Sequence, residues 1–164
     1  MINFHELYNT YAKDVYRFVF WLSGNTQDAE DITSETFMRA WTNKNTLKFK
    51  TIKAYLITIA RNLYLQKIRN KSVFIEVDEN IHDNNPGPDR ITESKIDLQK
   101  TFIAMKNLSE IDRTILIMHA QQNMTYSEIS LTTGISIPAI KVKVFRARLK
   151  LETLLRGKTN ENNT

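Results

Sequence analysis

The chain has 164 residues, of which 41% are hydrophobic and none is cysteine, and its formal net charge is +5. This length allows one ordinary domain or two small ones, and the lack of cysteine excludes disulfides and thiolate metal sites. The N-terminus lacks the basic-then-apolar pattern of a signal peptide, and the longest apolar run, residues 18–22, is far too short to span a bilayer. We therefore expect a cytoplasmic protein with no direct membrane insertion.

Three helices are predicted in the first part of the chain. Apolar residues recur at helical spacing between residues 2 and 22, and Asn25 or Thr26 is placed to cap a second helix. Thr51 is placed to cap a third helix, whose inner face is apolar and whose end is basic. Because three amphipathic helices of this length can form a compact bundle, we predict an all-α domain over residues 1–71.

Charge divides the chain into three blocks. Residues 1–71 carry 11 Lys/Arg and 6 Asp/Glu, giving +5, and residues 94–164 carry the same numbers. Residues 72–93 carry one Arg and six acids, giving −5, and the centre of this block reads Asp-Asn-Asn-Pro-Gly-Pro-Asp, which breaks helices. We predict a flexible acidic linker over residues 72–92 and a second small helical domain over residues 93–164. Two basic modules suggest two contacts with a polyanion.

Residues 124–151 predict a helix-turn-helix. Thr125 and Glu128 have the spacing of a capping box, Gly134 can supply the positive φ of a tight turn, and Ser136 is placed as a second N-cap. The helix that follows carries five cations before its first acid: Lys141, Lys143, Arg146, Arg148 and Lys150. A helix of that charge, presented by that turn, suits the DNA major groove. The alternative is an ordinary helical hairpin with a solvated basic face.

No residue pattern indicates catalysis, a metal site or a cofactor. The acids near the start of the second helix have no His or Cys among them, and favourable placement at a helix N-terminus explains most of them. No phosphate-binding glycine loop or nucleophile motif appears, so we expect no small-molecule substrate. Phe49 lies between Lys48 and Lys50, where its ring suits either stacking on an unpaired base or anchoring the loop.

Taken together, these residues resemble the extracytoplasmic-function (ECF) sigma factors, the minimal sigma-70-type transcription initiation factors. Residues 28–41, DAEDITSETFMRAW, resemble the family's segment that docks on the polymerase clamp. Residues 54–69, which open with AYLITIARNL, resemble the segment that melts and reads the −10 element, and residues 125–148 resemble the −35-reading helix-turn-helix. The resemblance covers roughly residues 4–71 and 95–156, with the three motifs in the family's order.

The resemblance implies a role for particular side chains in each motif. Contacts to the polymerase β′ coiled coil would come from Asp28, Glu30, Asp31, Glu35 and Arg39. Contacts to −10 DNA, including a pocket for a flipped base in the loop, would come from Asn45, Lys48, Phe49, Lys50, Arg61, Asn62, Lys67 and Arg69. Contacts to −35 DNA would come from Ser136, Lys141, Val142, Lys143, Arg146 and Arg148.

The resemblance also implies partners and a function. The partners would be core RNA polymerase, through its β′ coiled coil and β flap, promoter DNA, and an anti-sigma factor that can hold the protein at the inner membrane. The function would be to recruit polymerase to promoters and to assist melting, without chemistry of its own. The family often has Thr at position 139 and Ser at position 142, whereas this chain has Ala139 and Val142, so the family's −35 preference does not transfer. Gln66 stands where an Asp is common.

Two rival functions remain at the level of sequence. A polymerase-independent helix-turn-helix regulator would need a dimerisation surface and would leave the first module unexplained. A small helical adaptor that binds only protein would leave the basic helix unexplained.

Overall fold

The computed structural model describes residues 3–43, 51–74 and 93–161. This part of the chain confirms the predicted all-α fold, with seven helices. They are α1 Phe4–Ser23, α2 Thr26–Thr42, α3 Ile52–Phe74, α4 Glu93–Lys106, α5 Glu110–Ala120, α6 Tyr126–Thr133 and α7 Ile137–Glu161.

Local capping signals set the boundaries of the first three helices. Gly24 ends α1 with a φ of 65°, which costs glycine little. Asn25, rather than Thr26, caps α2, because its side chain accepts a hydrogen bond from the N–H of Asp28 at 3.0 Å. The Thr51 hydroxyl accepts from a backbone N–H three residues on at 3.1 Å, so it caps α3 as predicted. The predicted three-helix arrangement is therefore present.

The first module, α1–α3, packs around a shared apolar core. Its fully or nearly fully buried side chains are Val15, Phe18, Val19, Leu22, Ala29, Ile32, Phe37, Leu56, Ile57 and Ala60. Helix α3 ends at Phe74, three residues inside the predicted linker, and residues 75–92 of that linker lie outside the described residues. The core places the outer face of α2 and part of α3 at the surface of this module.

The second module consists of α4–α7. Its core is formed by Met105, Leu108, Ile115, Met118, Met124, Ile129, Ile140, Val144 and Ala147. Ser109 caps α5 by accepting from the N–H of Asp112 at 3.2 Å. Helix α7 is the longest helix described, with 25 residues, and its first half is packed against α5 and α6. The surface of α7 away from this core remains open.

The two modules pack against each other through α1, α3, α4, α5 and α6. The Trp21 ring in α1 stacks on the Phe102 ring in α4, with the ring centroids 4.1 Å apart, and Phe20 meets the same ring edge-on. The Gln122 side chain, buried after α5, donates to the backbone oxygen of Asp14 in α1 at 3.0 Å. This packing was not predicted from the sequence, and it decides which candidate DNA contacts are exposed.

Candidate nucleic-acid interface

Two N-caps fix the starts of the helices that form the helix-turn-helix. The Thr125 hydroxyl accepts from the N–H of Glu128 at 3.1 Å, which supplies one half of the predicted capping box. The Ser136 hydroxyl accepts from the N–H of Ala139 at 3.4 Å and caps α7. Both caps satisfy backbone groups that a helix start would otherwise leave unpaired. The predicted boundaries of α6 and α7 are thereby confirmed.

The turn between α6 and α7 depends on a glycine and a serine. Gly134 has a φ of 75°, and its N–H donates to the backbone oxygen of Ser130 at 2.8 Å. The Ser130 hydroxyl donates to the backbone oxygen of Ile135 at 2.6 Å, so Ser130 ties the turn to α6. Ile129 and Ile140 are fully buried on the two sides of the turn. This geometry fixes the angle at which α7 leaves the module.

Helix α7 presents most of its cations to solvent. Ile140, Val144 and Ala147 face the core, and the predicted −35 residues found exposed are Ser136, Lys141, Val142, Arg146 and Arg148. Lys141 Nζ lies 5.7 Å from the centroid of the Tyr126 ring, a distance at which a cation–π contact forms. The structure thus gathers these side chains on one open face.

Lys143 differs from its neighbours on α7. Its Nζ lies 3.5 Å from Oδ1 of Asp112 in α5, and its side chain is about one-third exposed. A partly exposed ion pair of this kind contributes little to stability. Lys143 is therefore tied to its own module in this structure but is able to turn outward at small cost.

The predicted polymerase-binding residues lie on α2, and four of the five share its outer face. Glu30, Asp31, Glu35 and Arg39 are exposed. Arg39 Nε donates to Oε1 of Glu35 at 2.9 Å, an ion pair between residues one turn apart. This face combines acids with one cation and is available to a charged partner.

Asp28 corrects the expectation of a uniformly exposed acidic face. Only 8% of the residue is exposed, because its carboxylate is clamped between two lysines of α3. Lys67 Nζ lies 2.7 Å from Oδ1, and Lys71 Nζ lies 3.1 Å from Oδ2. Burial alone would raise the pKa of this carboxyl group, but the hydrogen bonds and charges of the two lysines outweigh burial and lower the pKa. Asp28 therefore joins α2 to α3.

The predicted −10 residues are only partly exposed. Asn45, Lys48, Phe49 and Lys50 lie outside the described residues. Asn62 and Arg69 are exposed, whereas Lys67 is engaged by Asp28. The structure thus joins Lys67, a predicted DNA contact, to Asp28, a predicted polymerase contact.

Arg61, another predicted −10 contact, is covered by the second module. Its side chain is 12% exposed, and its Nη2 lies 3.9 Å from Oε2 of Glu110 in α5. Its Nε is buried without a hydrogen-bond partner among the described residues. One turn earlier in α3, the Thr58 and Thr132 hydroxyls lie 3.0 Å apart and join α3 to α6. The part of α3 around Arg61 that is expected to meet DNA is therefore covered in this structure, whereas Asn62 and Arg69 remain exposed.

The described residues contain neither a membrane-spanning helix nor a cluster of metal-binding side chains. No helix in residues 3–43, 51–74 or 93–161 is long and apolar enough to cross a membrane. Within the same ranges, no group of His, Cys, Asp or Glu side chains lies close enough together to hold a metal ion.

Comparisons with known proteins identify the two modules. Residues 7–73 match the family Sigma-70 region 2, and residues 104–151 match Sigma-70, region 4. Over 98% of its length the chain is 28% identical to the ECF RNA polymerase sigma factor SigE of Mycolicibacterium smegmatis. The chain belongs to the ECF group of the sigma-70 family. ECF sigma factors act in transcription initiation and are not enzymes.

A second relative and one solved structure extend this likeness over nearly the whole chain. The ECF sigma factor SigM of Bacillus subtilis is 27% identical, with 95% of this chain and 97% of SigM aligned, whereas the chain spans 65% of the length of SigE. The sigma factor RpoE of Bartonella quintana, crystallised with the anti-sigma factor NepR, superposes with a TM-score of 0.78 at 25% identity. That superposition covers 93% of this chain and 96% of RpoE.

One feature of this ECF sigma factor was not predicted from the sequence. Phe145 and Leu149 on α7 are 69% and 55% exposed, although both are large and apolar. On a helical wheel of α7, Ile140 and Ala147 face the core, and Phe145 and Leu149 then fall on the opposite, outward side.

Proposed function

We propose that this protein binds core RNA polymerase in the cytoplasm, directs it to promoters through their −35 and −10 elements, and assists promoter melting. The observation that carries the proposal is the open, cationic face of α7, held by two capped helix starts, in a chain whose other module matches Sigma-70 region 2. A DNA-binding helix-turn-helix and a polymerase-binding module in one chain suit a factor that brings RNA polymerase to a specific promoter.

The −35 contact rests on the helix-turn-helix. Exposed Arg146 and Arg148 suit phosphates or base edges of the major groove, and the N-terminal end of α7 favours anionic groups. Ser136 lies at that end, next to exposed Lys141 and Val142. Lys143 can also contact DNA if it leaves Asp112 and binds a DNA phosphate instead.

The polymerase contact rests on the outer face of α2. Glu30, Asp31, Glu35 and Arg39 are exposed there, and Met38, 64% exposed, adds an apolar side chain to the same face. Charged groups around an apolar centre suit a protein partner such as the β′ coiled coil. Asp28 supports this face from beneath by fixing α2 on α3. The β flap is the partner that we propose for the second module.

The −10 contact requires the two modules to separate. The −10 and −35 elements are named for their approximate distances from the start site, so their centres lie about 25 base pairs apart, or about 85 Å at roughly 3.4 Å per base pair. Thr58 and Thr132 place α3 within hydrogen-bonding distance of α6, so the packed arrangement cannot reach both elements. Separation would expose Arg61 beside Asn62, Lys67 and Arg69, and the loop at residues 45–50 would then receive a flipped base.

An anti-sigma factor is the proposed means of holding the protein inactive. The structure of RpoE, a 25% identical relative, was solved with the anti-sigma factor NepR bound. In the present structure Arg61 is already covered by Glu110, so a partner that stabilises this packing would block −10 binding. We propose that such a partner can also hold the protein at the inner membrane.

Run-off transcription with purified core polymerase tests the proposed function. We expect promoter-specific transcripts from genomic fragments only when the protein is added, and sequencing their 5′ ends would give the promoter. A polymerase-independent regulator would give no such transcripts and would bind an operator tightly by itself, and that result would overturn the proposal.

A further inference from the structure

Met38 lies at the centre of the outer face of α2, where it is 64% exposed. A helix turns by about 100° per residue, so Met38 lies on the side of α2 directly opposite Ala29, which is fully buried. Asp31 lies about two turns earlier on the same outward line, and the ion pair of Glu35 with Arg39 lies beside it. A partner that binds this face must therefore cover the thioether of Met38.

The exposure of Met38 sets it apart from the other methionines of the described residues. The chain contains five methionines and no cysteine. Met105, Met118 and Met124 are at most 5% exposed, because they form part of the core of the second module. Met1 lies outside the described residues. Since the chain has no thiol that could react first, Met38 is the side chain of the described residues that a dissolved peroxide is expected to oxidise.

Oxidation would change the chemistry of this face without changing the core. Hydrogen peroxide transfers one oxygen atom to the thioether sulfur of methionine, which gives methionine sulfoxide and water; the sulfur is oxidised by two electrons and the peroxide is reduced by two. The sulfoxide is polar, whereas the thioether is apolar. A polar oxygen that is buried against a partner must lose its water, and this costs free energy unless the partner supplies a hydrogen bond. Oxidation of Met38 should therefore weaken binding to a partner while the fold stays intact.

We propose that Met38 is an oxidation site, and that its conversion to the sulfoxide by a peroxide lowers the affinity of this protein for core RNA polymerase. This inference rests on the proposed polymerase contact of α2 and adds a means of regulating it. The modification is reversible, because enzymes that reduce methionine sulfoxide restore the thioether. The protein would thus release polymerase under oxidising conditions and bind it again after reduction.

Treatment of the purified full-length protein with hydrogen peroxide tests the inference. The peroxide is removed before core polymerase is added, so that polymerase itself is not oxidised. Mass spectrometry of peptides should find one added oxygen atom on Met38 and none on Met105, Met118 or Met124. The dissociation constant for core polymerase should then rise about ten-fold, the effect expected when one methionine no longer contributes apolar burial. Methionine sulfoxide reductase should restore the original affinity.

Two variants assign the effect to Met38. Met38→Leu keeps an apolar side chain of similar volume that peroxide does not oxidise, so its affinity should stay within about two-fold of the original and should not respond to peroxide. Met38→Gln places a polar side chain there, so it should bind about ten-fold more weakly without any peroxide. Ile68→Gln, the same polar replacement at an exposed apolar residue of α3, should leave the affinity for core polymerase unchanged. Circular dichroism checks that all three variants are folded.

The possible outcomes separate the inference from the function on which it rests. Failure of the untreated protein to bind core polymerase would overturn the proposed function. Unchanged affinity of a protein whose Met38 is shown to be oxidised would overturn the inference alone. A loss of affinity in peroxide-treated Met38→Leu as large as that in the original protein would also overturn it, because another residue would then be responsible.

Discussion

Asp28 shows how a single carboxylate can join two helices. It is 8% exposed and accepts from Lys67 and Lys71, so its negative charge is held between two positive charges at the contact of α2 with α3. Hydrogen bonds between charged groups contribute more than neutral ones, because the opposite charges of donor and acceptor strengthen the electrostatic attraction. Burial raises the pKa of Asp28, but the two lysines lower it by more, which shows that the folded protein stabilises the ionised carboxylate.

Replacing Asp28 by Asn should destabilise the protein by about 1.5–3 kcal/mol at neutral pH, because two lysines would lose their shared anion. The folded-state pKa lies below the ordinary value of 3.8, so this stabilisation is present above that value and is lost as the pH falls through the folded pKa. Urea unfolding of the two proteins at pH 7 and below pH 3.8 would measure it.

Asp31→Asn is the matched control for that prediction. Its carboxylate lies 3.7 Å from the same Lys67 but is 55% exposed, so its loss should change the unfolding free energy by less than about 1 kcal/mol. Equal effects of the two substitutions, or a constant Asp28→Asn penalty across the acid range, would contradict the assigned role.

The role of Asp28 was hidden in the sequence for a physical reason. Four acids lie within two turns of α2, and placement near the positive end of the helix accounts for most of them without separating one from another. Only the position of Lys67 and Lys71, about forty residues further along the chain, separates the buried acid from the exposed ones. Local periodicity carries no information on that long-range contact.

Reversing the charge of Glu35 tests whether the outer face of α2 binds core polymerase. Reversal to Lys would set a cation beside Arg39, which now pairs with it, and should weaken binding of core polymerase about tenfold or more. Glu152→Lys, a reversal of an exposed acid on α7, should leave that affinity unchanged. Binding of fluorescently labelled protein to core polymerase would measure both, and unchanged affinity of Glu35→Lys would refute this placement.

At the scale of elements, the helix-turn-helix was the most predictable part of the fold. Its signals are local: Thr125 and Ser136 cap their helices, and Gly134 adopts the positive φ expected of it. Each depends on atoms within a few residues, so the sequence contains the information needed. The capping box was predicted in full, whereas the structure shows the Thr125 half of it.

Substitution by alanine should change the stability of the protein in opposite directions at Gly134 and at Gly157. A Cβ at Gly134 would meet nothing within 4 Å, so the cost of Gly134→Ala is the left-handed backbone alone, about 1–2 kcal/mol. Gly157 lies within α7 without a positive φ and with open space around it, so Gly157→Ala should stabilise by about 0.5–1 kcal/mol. Thermal unfolding would measure both signs, and a neutral Gly134→Ala would show that the turn tolerates another conformation.

At the scale of the whole molecule, the packing of the two modules is the feature that the sequence left open. One of the side chains that form it, Arg61, was assigned from the sequence to a different role, contact with −10 DNA. Glu110 belongs to α5, yet it meets Arg61 of α3 across the contact. Contacts between residues so distant along the chain leave no periodicity in either segment. The relative placement of the modules therefore required a structure.

Phe102→Ala should shift the molecule toward separated modules, because it removes both the stacked contact with Trp21 and the edge contact with Phe20 that join α4 to α1. Small-angle scattering should show a larger radius of gyration at unchanged helix content. Core polymerase should bind more tightly, since less free energy is needed to reach the open state. Ile103→Ala, which alters the neighbouring residue, 45% exposed, should change neither. An unchanged radius with unchanged affinity would mean that the polar contacts of Gln122 and Thr58 suffice to hold the modules together.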